Sequence, residues 1–219
     1  MLNRQYLFWG DTVLIFVKEL NMKIYFLVGQ SSTGKDTIKA KLLSTMPNLK
    51  DYTYCTTRPM RDGEIEGREY HFKSRADYEK DVSLGVVIES RVYNFNGNTP
   101  VVYYSLAKEI DEELYIVTGT PDMCHSYIEY YGSDIVKPIF IVVPDRERLM
   151  RAIKREDTNK GNYKEVARRF YDEFSEYTKE NILSLSGVEY VNNDYLEDCI
   201  EDIRCIIEGI NKNEDFKQN

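Results

Sequence analysis

Histidine is almost missing from this 219-residue chain: there are two, His71 and His125. His125 follows Cys124, but sequence neighbours rarely face each other productively, so the pair reads as an ordinary helix surface rather than a nucleophile and its base. Cysteine is also sparse. Cys55, Cys124, Cys199 and Cys205 form no C-x-x-C pair or other metal spacing, which excludes a zinc ribbon and fits reduced, mostly buried thiols of a cytosolic protein. Positive charge is in deficit, with a formal net charge of −8. That argues against broad nonspecific binding to nucleic acid or anionic membrane. It leaves anionic small molecules open, because a cleft can focus positive potential locally, so the placing of the arginines matters more than their number.

Long apolar runs are missing too. Near the start, Leu7-Phe8-Trp9 and Val13-Leu14-Ile15-Phe16-Val17 are interrupted by Asp11 and Lys18-Glu19. The stretch is too short and too charged to span a bilayer, and it lacks the small-residue cleavage site of a signal peptide. Met22 directly precedes the first core strand, so residues 1–22 are expected to be an extension of unknown role, with the natural start near Met22. No internal repeat or low-complexity tract is present.

What remains is a globular composition, 42% hydrophobic and 30% charged, long enough for one domain with insertions. Strand and helix signals alternate, which predicts a parallel α/β sheet with crossover helices. Residues 23–29 form a nearly continuous apolar run, expected of a buried strand. A helix should follow from near Gly34 to Thr45, stopped by Pro47. Leu114–Val117 and Ile139–Val143 predict two more buried strands. Each leads into a proline and an acid, Pro121-Asp122 and Pro144-Asp145, which suit helix N-termini. Residues 162–183 predict one long polar helix and Val188–Val191 a last strand. Residues 194–210 predict an amphipathic helix with Leu196, Ile200, Ile203 and Ile207 inward. Between 52 and 105 the pattern shifts to alternating Thr, Tyr, Gly and Arg, read as an inserted subdomain of antiparallel strands.

The sharpest local feature is Gly29-Gln30-Ser31-Ser32-Thr33-Gly34-Lys35-Asp36-Thr37. The G-x-x-x-x-G-K spacing between a strand and a helix is that of a loop whose backbone N–H groups cradle phosphate, aided by the helix dipole, with Lys35 reaching the β and γ phosphates. Asp36 stands where a Ser or Thr hydroxyl normally meets magnesium. It either caps the helix, leaving the metal to water or Thr37, or offers its own carboxylate to Mg2+.

Downstream, Thr56-Thr57-Arg58-Pro59-Met60-Arg61-Asp62-Gly63-Glu64, with Gly67, Tyr70 and Phe72, closely resembles the guanylate kinase signature T-T-R-x-x-R-x-G-E-x-x-G-x-x-Y-x-F. Together with the phosphate loop, the resemblance spans nearly all of residues 23–210. It implies a P-loop nucleoside-monophosphate-kinase fold: a parallel sheet flanked by helices, an inserted mixed-β acceptor subdomain and a helical lid. The implied boundaries are 23–212 for the domain, with core segments 23–51, 106–154 and 170–212. The acceptor subdomain is 52–105, the lid 155–169 and the polar tail 213–219.

The implied activity is Mg2+-dependent transfer from ATP to a nucleoside monophosphate, GMP or dGMP, in the cytoplasm, with no nucleic-acid or membrane partner. The implied ATP-binding residues are Gly29, Ser31, Ser32, Thr33, Gly34, Lys35, Asp36 and Thr37, with Asn192, in Val191-Asn192-Asn193-Asp194, beside the adenine. Arg58, Arg61 and Tyr70 would hold the acceptor phosphate; two arginines three apart can fork around a dianion. Glu89 would accept hydrogen bonds from the guanine edge, with Tyr103 and Ser105 in the acceptor site; that alignment needs about three extra residues after Asn98. Arg151, Arg155 and Arg169 would be the lid arginines that neutralise the transferring phosphoryl group, while Arg168 reads as solvated. No nucleophilic side chain is required, since the acceptor phosphate is itself nucleophilic.

The chain departs from the family in three places. Thr118 and Thr120 occupy the positions of two aspartates, one of which helps read the guanine amino group. Ser32 replaces a loop glycine, and Tyr104-Ser105 replaces Gly-Ser. Asp36-Thr37 also resembles the loop of ribose 1,5-bisphosphate phosphokinases, so a sugar-phosphate acceptor is the alternative, beside a noncatalytic guanylate-kinase-like binding module.

Overall fold

The computed structural model describes residues 5–9, 12–16, 22–94, 100–111, 113–158 and 161–210. The polar tail at 213–219 and residues 95–99, at the end of which the extra residues after Asn98 begin, lie outside them. In chain order the elements are β1 Gln5–Trp9, β2 Thr12–Phe16, β3 Lys23–Val28, α1 Lys35–Thr45, β4 Leu49–Asp51, β5 Cys55–Thr56, β6 His71–Phe72, α2 Arg75–Ser83, β7 Val87–Tyr93 and β8 Val101–Leu106. They continue with β9 Leu114–Gly119, α3 Pro121–Tyr131, β10 Val136–Val142, α4 Asp145–Thr158, α5 Tyr163–Glu176, α6 Lys179–Leu183, β11 Glu189–Asn192 and α7 Leu196–Glu208.

The central sheet has the order β11-β10-β3-β9-β4 and every pairing in it is parallel. Because side chains alternate along a strand, β3 feeds two cores. Tyr25 and Leu27 pack with Ile38 and Leu42 of α1 and Cys199, Ile200, Ile203 and Ile207 of α7. Ile24, Phe26 and Val28 pack on the other face with Cys124 and Tyr127 of α3, and with Ile182 and Leu185. Met22 is fully buried in this second core, so the core starts one residue before the sequence boundary at 23. Of the N-terminal extension, β1 and β2 form an antiparallel hairpin.

The insertion is a four-stranded sheet, β6-β5-β8-β7. It is mixed rather than purely antiparallel, because β5 and β6 run parallel. It also carries α2, which the alternation reading of 52–105 did not foresee. Its cue was Ser74-Arg75-Ala76-Asp77: the Ser74 hydroxyl accepts the Asp77 N–H and the Asp77 carboxylate reaches back, a full capping box.

Two further expectations need correction. The stretch 162–183 is not one helix. It breaks at Tyr177, and Thr178 caps a new helix by accepting the Asn181 N–H. Cys124 is not on a helix surface but fully buried, while His125 faces out and meets the Ser184 hydroxyl at 2.9 Å. All four cysteines are buried and free; burial pushes the Cys55 thiol up to about 11 and the Cys199 thiol to about 12. Among the described residues no helix is long and apolar enough to cross a membrane.

Candidate active site

The phosphate loop begins where β3 ends. Gly34 has φ 93°, a left-handed conformation that glycine adopts without strain. A Cβ there would stand 2.7 Å from Asn193 Nδ2, so this glycine also admits the end of β11. Asn193 uses that contact: its Nδ2 donates to the Thr33 carbonyl at 2.7 Å. Ser32 is in the left-handed region as well, at φ 63°, which accounts for glycine being the usual residue there and costs about 1 kcal/mol for a non-glycine. Unlike α2, α3, α5 and α6, helix α1 has no side-chain cap. Its first N–H groups and the positive end of its dipole face the loop. Asp36 sits in the first turn and does not cap the helix.

Lys35 folds over this loop. Its ammonium donates to the Gly29 carbonyl, to the Gln30 carbonyl at 2.9 Å and to Thr33 Oγ1 at 3.5 Å. Burial lowers its pKa to about 8, with the Asp36 and Glu173 carboxylates opposing that shift. Around the loop lies a cavity of about 500 Å³ lined by Ser31, Gly34, Lys35, Asp36, Thr37, Arg151, Arg155, Arg169, Asn193 and Leu196, among others. Two sequence expectations change here. Asn193, not Asn192, lines the cavity, and Leu196 opens onto it instead of packing inward.

The loop is held from outside by a buried ion pair. Arg148 of α4, 2% exposed, donates to the Glu173 carboxylate of α5 at 2.8 Å and to the Ser31 carbonyl at 3.1 Å. Glu173 in turn accepts the Ser31 N–H at 2.5 Å, and the Tyr177 hydroxyl donates to the Gly29 carbonyl at 2.9 Å. Sequence reading passed over both members, since nothing in a polar helical stretch marks which arginine will be buried.

A second cavity, about 390 Å³, lies under the inserted sheet. It is lined by Tyr54, Tyr70, Tyr93 and Tyr103, with Glu89, Arg91, Thr120, Met123 and Arg169. Glu89 of β7 accepts the Ser105 hydroxyl at 3.0 Å, and burial holds its carboxyl above the ordinary value. Ser105 is itself fully buried and orients Glu89. Arg58 is 8% exposed and tightly held: two hydrogen bonds of 2.7 and 2.5 Å go to Glu64, one of 2.9 Å to the Pro59 carbonyl and one of 3.0 Å to the Tyr103 hydroxyl. Its guanidinium lies 5.1 Å from the Tyr70 ring centre and 5.4 Å from that of Phe72. These bonds use four of its five N–H donors, leaving one on Nη2. Glu64 also takes the Arg61 N–H at 2.7 Å and is held down at about 2, first by the Arg58 hydrogen bonds. The Arg61 residue is exposed.

Between the two cavities is a third, lined by Gly29, Lys35, Arg91, Thr118, Thr120, Arg168 and Arg169, among others. Arg169 borders all three. It is steadied by Glu165, which accepts its Nε–H at 2.9 Å. Arg168 is exposed and doubly paired, to Glu165 and Asp172, although its side chain reaches the rim of the connecting cavity. Arg91 was missed in the sequence, and the available signal was its place two residues after Glu89, on the same strand face. Among the described residues no group of three or more His, Cys, Asp or Glu could hold a metal alone. Asp36 with the Thr37 hydroxyl suits a hard cation that keeps most of its ligands from phosphate and water.

The guanylate kinase family model matches residues 21–210. Among curated relatives, the guanylate kinase of Lactococcus lactis is 28% identical over 203 residues, covering 88% of this chain and 90% of the relative. That of Symbiobacterium thermophilum is 31% identical over 190 residues, covering 83% and 82%. Among solved structures, guanylate kinase from Anaplasma phagocytophilum superposes with a TM-score of 0.55 at 22% identity, over 87% of each chain.

Proposed function

The chain belongs to the guanylate kinase family of nucleoside monophosphate kinases, and from that premise we propose that it transfers the γ-phosphoryl group of ATP to the phosphate of GMP or dGMP. The observation that carries this reading is the shared wall of the two cavities. Arg169 borders the cavity of the phosphate loop, the tyrosine-lined cavity of Glu89 and the connecting space that Lys35 also lines.

In this mechanism the loop N–H groups and Lys35 hold the β and γ phosphates at the uncapped start of α1. Arg151 and Arg155 close over the donor side. Glu89 accepts N–H groups of the base, and the tyrosines flank its rings. The free N–H of Arg58 and the exposed guanidinium of Arg61 take the acceptor phosphate, with Glu64 keeping Arg58 in orientation. Arg169 spans both substrates and neutralises charge on the group in flight, so that catalysis is alignment and electrostatics, with no side-chain nucleophile. Asp36 and Thr37 would hold Mg2+, which supplies charge neutralisation between the phosphates when bound.

The flat, aromatic walls of the acceptor cavity favour a base over a bare sugar bisphosphate. A coupled ADP-release assay with GMP, dGMP, AMP, UMP, CMP and ribose 1,5-bisphosphate tests the reading. Turnover with GMP or dGMP is expected. Turnover with the sugar bisphosphate alone would overturn the acceptor assignment, and turnover with none, together with no ATP binding, would overturn the enzyme assignment.

A further inference from the structure

Glu89 is the one carboxylate among the residues lining the acceptor cavity, which it shares with Arg91 and Thr120. Arg91 follows it by two positions on β7, so both project from the same strand face, opposite Ser105 and Tyr103 of β8. Arg91 lines the acceptor cavity and the connecting one, and its Nη2 donates to Thr120 Oγ1 and, at 3.5 Å, to Glu176. Thr120 Oγ1 also accepts the Met123 N–H at 3.4 Å as the cap of α3. Its two lone pairs are thereby used, and what it has left to offer a ligand is its O–H. A guanidinium accepts nothing.

Around Glu89 the cavity thus sets one carboxylate beside the donors of Arg91 and Thr120, while the Tyr54 hydroxyl, whose hydrogen goes to the Thr118 carbonyl at 2.9 Å, can only accept. Guanine presents a ring N–H flanked by a carbonyl on one side and an amino group on the other. The amino group needs an acceptor, and neither Arg91 nor Thr120 has one to give, so beside them it must share Glu89 with the ring N–H. A base whose ring N–H lies between two carbonyls, as in xanthine, gives Glu89 its N–H and the donors an oxygen.

We propose that Arg91 and Thr120 form a specificity pair that reads a carbonyl oxygen of the acceptor base, extending the substrate range to nucleotides whose ring N–H is flanked by two carbonyls. This rests on the nucleoside monophosphate kinase reading above and names its substrate class more closely. A charge-assisted hydrogen bond from Arg91 to that oxygen is worth about tenfold or more in acceptor affinity.

The test is steady-state kinetics of the full chain with ATP and either GMP or xanthosine 5′-monophosphate, for the native protein, Arg91→Met and Glu176→Gln. The native protein is expected to use the xanthine nucleotide with kcat/KM within about tenfold of GMP. R91M is expected to lower the xanthine-to-GMP ratio by about tenfold, through KM. E176Q removes the ion pair between Arg91 and α5 but should leave the ratio as it is, which separates base reading from a merely structural tie. Turnover of GMP with none of the xanthine nucleotide would overturn the proposal and leave the kinase reading standing. So would an R91M defect equal for both acceptors, or an E176Q ratio shifted as far as that of R91M. Turnover of neither nucleotide would overturn both readings.

Discussion

At the proposed donor end of the cleft, one loop at residues 29–37, with the open start of α1, supplies six of the eleven residues that line the cavity. At the proposed acceptor end, Tyr54, Tyr70, Tyr103 and Thr120 come from separate segments and join Glu89 and Arg91 of β7 around one cavity. A phosphate is the same on every nucleotide, so a backbone cradle with one lysine serves it. A base differs from its rivals by single donors and acceptors, and only side chains can be exchanged to match them. The two chain-specific threonines, Thr118 and Thr120, accordingly both border the connecting cavity towards the acceptor.

The comparison can be broken in order of expected effect. Lys35→Ala should lower turnover on the order of 10³-fold while leaving the folded spectrum intact, because a charge aimed at the transferring group is lost. Unchanged turnover would remove the loop from the mechanism. Arg148→Met leaves Glu173 buried without its partner and should destabilise the fold by about 3 kcal/mol in urea unfolding. Adding Glu173→Gln should recover part of that loss; a plain sum of the two single effects would mean that the residues do not act as a pair.

Arg58→Ala should raise the KM for the acceptor by about 30-fold, roughly 2 kcal/mol, with ATP affinity measured by calorimetry unchanged. Equal loss of both would erase the division between the ends. The pH profile probes the donor end alone. Burial depresses the Lys35 pKa to about 8, so the ammonium is present below that pH and lost above it. In the free protein kcat/KM for ATP should therefore fall about tenfold per pH unit above this value, while the limb in kcat lies higher because bound phosphates favour the charged form. A flat profile to pH 10 would contradict the assignment. Smallest of all, Ser32→Gly relieves a left-handed serine and should gain about 1 kcal/mol or less, since glycine also gains freedom in the unfolded chain. A loss in thermal stability would show that the Ser32 side chain is needed.

Much of the donor end was readable in advance because its determinants are local. The apolar run before Gly29, the two glycines and the lysine all lie within one strand–loop–helix unit, and the structure has β3 and α1 where that unit predicts them. Arg151, Arg155 and Arg169 likewise line the donor cavity. Asn192 was chosen over Asn193 because sequence does not say which residue at a strand end turns inward; β11 stops at Asn192 and the next side chain meets the loop. The long helix at 162–183 was misread because its polar periodicity runs across a break made by a local Thr178 cap.

The sequence by itself determined the alternation of strand and helix, the phosphate loop and the order of the family's motifs, since each depends on residues close together in the chain. The tertiary structure alone decided which arginines are buried, which line the cleft and which remain in solvent. Arg148, Arg91 and Arg168 are chemically identical; the first two meet partners from other elements, whereas Arg168 pairs within its own helix. Arg148 meets Glu173 in the interior, Arg91 meets Thr120 at the acceptor cavity and Arg168 meets Asp172 at the surface. A guanidinium's role follows from its partners and its exposure to water, and both are fixed only when the sheet and its helices close around it.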